Sequence, residues 1–212
     1  MQVLIDWILE QGTTSDDLGA LLTGIGERLL ESGVPVQRAS LDLPTIDPNS
    51  RAISYKWWRD RPTAVQTLPH DHEGVFQRSV VYHLLSTGLD IGRWRLDRRE
   101  GSQFELLREL RAQGLTDYVL RLAGFGDSTS AVKGVAFSIA TDRAGGFSDS
   151  ALSQASRITP ALRLAAIGSV LRIPRPTPSA STWDRTQPGA CLRARFSAAE
   201  ARESQPPSCS PI

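Results

Sequence analysis

The sequence predicts an α+β domain, an antiparallel sheet flanked by N- and C-terminal helices. Three observations predict it. Strand-like runs come in pairs separated by turn signals, which makes neighbouring strands antiparallel. Helical periodicity is strong near the start of the chain and again before Arg172. Beyond that point the composition changes. Residues 173–212 hold seven of the 13 prolines and show no sustained period. Such a segment cannot bury a core, so it is expected to be a disordered tail beside a domain of residues 1–172.

From the N-terminus, a short apolar segment around Ile5, Ile8 and Leu9 comes first. Residues 15–33 then read as an amphipathic helix, with Leu18, Leu21, Leu22, Ile25 and Leu29 at helical spacing. Ser15 is the expected cap, Asp16 and Asp17 suit the positive end, and Gly33 suits a left-handed stop. Val34 to Leu43 and Ala52 to Asp60 are two strands around the turn signal "DPNS", an antiparallel hairpin. Residues 60–73 are polar and broken by proline, hence a loop. "GVFQRSVVYHLLSTG" is a short helix with Phe76, Val80, His83 and Leu84 on one face and Gly88 at its end. "GRWRLD" is a short strand, and "FELLRELRAQG" a helix with Phe104, Leu107 and Leu110 inward and Gly114 as its stop. "TDYVLRLAGF" and "AVKGVAFSIATD" are strong strands around "GDSTS". A helix from about Ser148 to Arg172 closes the pattern, with Pro160 expected to kink or restart it and Thr159 available as a new cap.

Composition narrows the function. A net charge of +1 on 212 residues gives no electrostatic case for nucleic acid or an anionic membrane. No apolar run approaches the roughly 20 residues that span a bilayer. The N-terminus lacks the cationic region of a signal peptide, so the expected location is cytoplasmic. Cys191 and Cys209 are the two cysteines. Residues 1–190 therefore offer no thiol nucleophile, no thioether-linked chromophore and no thiolate metal site.

Four stretches could carry chemistry. His70 and His72 in "HDH" have metal-ligand spacing, but they stand in a polar loop without a third ligand, and a solvated loop accounts for them. Trp57 and Trp58 could wall a small-molecule pocket. Alternation in a strand instead sends one into the core and leaves the other at the rim. Arg93 and Arg95, within "RWRLDRRE", could meet an anion or simply blunt an edge strand with charge. "TDRAGGFSDSALSQ" matches neither the dinucleotide nor the P-loop pattern. Gly145 and Gly146 free the turn, Phe147 precedes the helix, Ser148 caps it and Asp149 suits its positive end, so the connector reading outweighs an anion site. No catalytic set, metal site or cofactor follows from these residues.

"GFSDSALSQASRITPAL" resembles the last strand-to-helix junction of GAF domains, so the expected fold is a GAF/PAS-like antiparallel sheet. More widely, residues 5 to 172 resemble the N-terminal sensory region of bacterial class III adenylate/guanylate cyclases. "GVPVQRASLDLPTIDP", "VVYHLLSTG", "LLRELRAQGLTDYVL", "GVAFSIATDRAGGFSD" and "ITPAL" carry that likeness, in this order. The resemblance implies a regulator of cyclic nucleotide synthesis that forms a homodimer through its terminal helices or pairs with an intact cyclase. It also implies an unidentified small-molecule ligand and a catalytic domain further on. Residues 173–212 hold none of that domain's machinery, so the chain alone is expected not to be an enzyme. The arginine-rich, lysine-poor composition points to GC-rich coding DNA. The tail is then readable as out-of-frame text and the chain as a truncated or frameshifted member. A free-standing small-molecule binding or dimerisation module is the alternative.

Overall fold

Two helices open the chain. They are α1, Gln2–Thr14, and α2, Leu18–Glu31. The apolar segment at Ile5 to Leu9 is thus the middle of a full helix, and Leu4, Ile8 and Gly12 form its buried stripe. Asp17 caps α2 by accepting the N–H of Ala20 at 2.9 Å. Ser15, the expected cap, is already spent ending α1, and its hydroxyl accepts the N–H of Asp17. Gly33 has φ +82°, the left-handed stop anticipated for it. The computed structural model describes residues 1–45, 50–69, 74–124 and 134–172.

The strands are β1 Arg38–Pro44, β2 Ser50–Trp58, β3 Arg61–Pro69, β4 Ile91–Arg95, β5 Asp117–Gly124 and β6 Gly134–Thr141. They form one antiparallel sheet in the order β3-β2-β1-β6-β5-β4. The expected hairpin is present, with Leu41 opposite Tyr55. Its first strand begins later than the pattern suggests. Val34 still donates its N–H to Leu29, so closure of α2 holds residues 34–36 out of the sheet, and Gln37 is the first to bond a neighbouring strand, at Ala140.

Residues 60–73 were expected to form a loop, and most of them do not. Arg61–Pro69 is an edge strand paired with β2. Most of its side chains are exposed, so neither face imposes an apolar alternation. An outer strand also tolerates Pro62 and Pro69. His70 to His72, the turn "GDSTS" and all but Ser50 of "DPNS" lie outside the described residues. So does the 173–212 tail.

The intervening helices are α3, Val80–Thr87, and α4, Glu105–Ala112. Ser79 caps α3, and Gly88 ends it with φ +69°. The closing helix is two helices, α5 Asp149–Ser156 and α6 Thr159–Arg172. The restart falls at Pro160, but Thr159 lies inside α6 rather than capping it. Leu162 donates to the carbonyl of Ile158.

The sheet separates two cores. On the first face, α1, α2, α5 and α6 cover Ala39, Leu41, Leu43, Trp57, Val119, Phe137 and Ile139. The helices from both chain ends thus share one face, as the pattern required. On the second face, α3 and α4 pack Leu84, Leu107 and Leu110 against Trp94, Tyr118 and Leu120. Among the described residues no helix is long and apolar enough to cross a membrane.

Candidate functional site

Strand alternation decides which side chains meet on the second face. Arg38, Ser40 and Asp42 of β1 point there, because Ala39, Leu41 and Leu43 point into the first core. The register sets Arg38 beside Trp58 and Ala140, Ser40 beside Lys56 and Ser138, and Asp42 beside Ser54 and Ala136. On β5, Tyr118 stands opposite Ala140 and Leu120 opposite Ser138. The second face therefore has a polar half on β2, β1 and β6 and an apolar half on β5 and β4.

The apolar half is closed by rings. Trp94 lies 6.0 Å, centre to centre, from both Phe104 and Tyr118, and His83 stacks against Phe104 at 5.4 Å. The polar half is also buried. Arg38 is 4% exposed, Ser40 3% and Ser54 1%. Ser40 and Ser138 share a hydroxyl hydrogen bond of 2.7 Å. Lys56 donates to Gln66 of β3 at 2.8 Å. The Arg38 guanidinium lies 5.8 Å from the centre of the Trp58 ring, which Arg61 covers at 4.3 Å. Nη1 of Arg38 is buried without a hydrogen-bond partner.

Burial sets the electrostatics of this cluster. It pushes the Asp42 carboxyl above its ordinary value, against the Ser54 hydrogen bond and the charges of Arg38 and Lys56. It draws the Lys56 ammonium down, as does repulsion from Arg38, while Asp42 and Glu109 of α4 oppose the change. The Tyr118 phenol is pushed up to about 12 by burial, with Arg38 and the Ser138 hydrogen bond pulling the other way. It stays protonated at neutral pH. The cluster thus offers a guanidinium, an ammonium, three serine hydroxyls, a phenol and one carboxyl. Such groups can bind and orient a polar molecule.

The residues singled out in the sequence are dispersed. Trp57 is buried in the first core over Gly26, where a side chain would strike its ring. Trp58 is half-buried on the second face beside Arg38, the core-and-rim split that alternation predicts. Arg93 and Arg95 lie on β4, four strands from β2. Arg93 pairs with the wholly buried Asp117, donating Nη2 at 2.8 Å and Nε at 3.2 Å. The same Nη2 donates to the carbonyl of Phe147, and Asp117 accepts the N–H of Phe147. This latch ties the sheet to the turn before α5. Gly145 and Gly146 both have positive φ, and a Cβ on Gly146 would overlap the Asp117 carboxylate. Ser148 caps α5 through Ala151. The glycine stretch is therefore fully employed as a connector. Arg95 donates to Asp97 at 3.2 Å. A recess of about 110 Å³ beneath α5 and the start of α6 is walled by Arg93, Val119, Phe137 and Leu152, on the first face and away from the polar cluster. Among the described residues no group of three or more His, Cys, Asp or Glu could hold a metal ion.

No protein-family model matches the sequence, and no curated protein matches it. Solved structures do match in three dimensions. The phycoerythrobilin-bound GAF domain of a cyanobacterial phytochrome aligns over 82% of this chain and 97% of its own, with TM-score 0.53 and 11% identity. The phycocyanobilin-bound GAF domain of a cyanobacterial phytochrome aligns over 80% and 94%, with TM-score 0.52 and 13% identity. The GAF domain of a Bacillus halodurans two-component sensor histidine kinase aligns over 68% and 92%, at 12% identity and TM-score 0.49.

This chain has the GAF fold. The polar half of the second face was missed in the sequence: Arg38, Ser40 and Asp42 were not among the residues singled out there. No local signal marked it: a helix precedes β1 and a strand follows it, and its central place in the sheet comes from pairing with β6, far along the chain.

Proposed function

We propose that this GAF domain is a cytoplasmic sensory module that binds a small polar ligand on the polar half of its second face. It regulates a class III adenylate/guanylate cyclase and has no cyclase activity as a lone chain. The observation that carries the sensory reading is the buried Arg38 gathered with the half-buried Asp42 and Lys56 in one cluster at the middle of the sheet. Buried ionic groups cost free energy unless something repays their desolvation, and on the first face the buried carboxylate, Asp117, is paired with Arg93, whereas Arg38 has no such partner among the described residues. The cyclase connection is supported by the ordered likeness of residues 5–172 to that sensory region.

The bilins of the two phytochrome structures are not carried over, because residues 1–190 hold no cysteine for a thioether link. A metabolite thermal-shift screen tests the sensory reading. At least one polar compound is expected to raise the melting temperature saturably. Adding the chain to an intact cyclase of the same genome should change cyclic nucleotide output, whereas the chain alone with ATP or GTP and Mn²⁺ should yield none. Turnover by the chain alone would refute the non-enzymatic reading.

Exposed Val3 on α1 and Leu164 on α6 favour a second, compatible reading, a dimer through the terminal helices. Native mass spectrometry should then find two copies. A strict monomer would reject it. We place the sensory unit at residues 1–172 and read 173–212 as out-of-frame text. Sequencing downstream DNA should show cyclase coding in another frame.

A further inference from the structure

The geometry points to the chemical class of that ligand: a small molecule bearing an oxyanion, a carboxylate or a phosphate, held by Arg38. The inference rests on the sensory reading above. Arg38 is 4% exposed, and its Nη1 has no hydrogen-bond partner. Its neighbours do not supply an anion in direct contact. No ion pair within 4 Å joins it to a described carboxylate, although Asp42 lies near enough to feel its charge.

Two other buried arginine nitrogens lack partners, but their guanidinium groups are otherwise engaged. Arg51 stacks on Phe76 at 4.0 Å, and Arg95 bonds Asp97. Among the described residues Arg38 has the more distant Trp58 ring. A guanidinium is a rigid planar fork of donors that matches carboxylate and phosphate oxygens, and it stays charged at any physiological pH.

The surroundings of Arg38 supply the remaining donors. The register places Ala140, with its single methyl group, between Arg38 and Tyr118. Two residues along, Ser40 and Ser138 meet through their hydroxyls at 2.7 Å, on the same face as the Tyr118 phenol. An oxyanion over Ala140 is thus faced by a guanidinium, a phenol and two serine hydroxyls. Lys56 is less suited, being already bound to Gln66 and faced by Asp42 and Glu109.

The test uses the full chain in phosphate-free buffer, with inorganic phosphate, benzoate and the neutral isostere benzamide as probes, followed by thermal shift and calorimetry. Phosphate or benzoate is expected to raise the melting temperature saturably, and benzamide is not. The arm that responds tells a phosphoryl from a carboxylate ligand. Arg38→Met and Arg38→Gln, each checked for folding by circular dichroism, are expected to weaken that binding at least about tenfold, the scale of one lost charge-assisted contact. If neither variant folds, the wild-type contrast of benzoate and phosphate with benzamide decides. No saturable shift with either oxyanion overturns the inference, as does equal binding by wild type and a folded variant. A neutral metabolite that binds wild type and Arg38→Met alike would overturn the oxyanion while leaving the sensory reading standing. A metabolite screen with no hit at all would remove both.

Discussion

Leu41 and Ser40 are adjacent in β1 and equally hidden from solvent, yet they belong to different kinds of interior. Leu41 enters an apolar core built by four helices, and Ser40 enters a cluster with Arg38, Asp42, Lys56 and Ser138. The first face gains stability from area removed from water, roughly 25 cal/mol per Å². The second gains little from its charged half, because desolvation offsets most of what the charges recover. The difference teaches that the fold is held chiefly by the first face and that the polar half of the second is free to serve binding.

Substitutions can break or sharpen this contrast. The largest effect is expected at the latch on the first face. Asp117→Ala should cost about 3–5 kcal/mol, the range for breaking a buried pair, and nearer 3 because a third of the Arg93 side chain meets solvent. Urea denaturation checks this, and a loss below 1 kcal/mol would show that the latch is dispensable. Leu41→Ala should cost about 3 kcal/mol, the usual price of a buried leucine truncation.

On the second face the sign is expected to reverse. Arg38→Met should stabilise the domain by about 1–2 kcal/mol in ligand-free buffer, since it replaces an unpaired buried charge with an apolar chain of similar length. A clear loss would mean that the guanidinium holds the face together. Ser40→Ala should cost about 1 kcal/mol by stranding the Ser138 hydroxyl, and Ser40→Ala with Ser138→Ala should recover most of it.

The smallest effect is a pH dependence. The folded-state pKa of Asp42 is raised above the ordinary 3.8 by burial. Its contribution is therefore fully present below the unfolded value and is lost as pH rises through the folded one. Asp42→Asn should stabilise the domain at pH 7 by less than about 1 kcal/mol and be nearly neutral at pH 3. Thermal melts at both values check the sign, and equal effects at the two would reject it.

Much of this was legible along the chain. Gly33, Gly88 and Gly114 have the positive φ expected of helix stops, and Gly145 and Gly146 have that expected of a free turn. Ser148 caps α5, and Trp57 and Trp58 split across the sheet as alternation requires. These are local rules, decided by residues within one turn or one strand. β3 was not legible, since an exposed edge strand gains its order from backbone pairing and leaves no apolar period. Arg93 was read as an edge charge or an anion contact, because Asp117 and Phe147 reach it only through the fold.

The sequence by itself determined the α+β class, the helices at both ends on one face, the glycine stops, the Ser148 cap and the connector role of "AGGFSD". Periodicity and capping act over a few residues and are written in order. Tertiary structure alone decided that Arg38 and Ser40 are interior, that Ser138 comes to Ser40 from 98 residues away, and that Nη1 of Arg38 has no partner among the described residues. Alternation says which side of a strand a residue takes. Only the assembled sheet and its covering helices say whether that side is water or core.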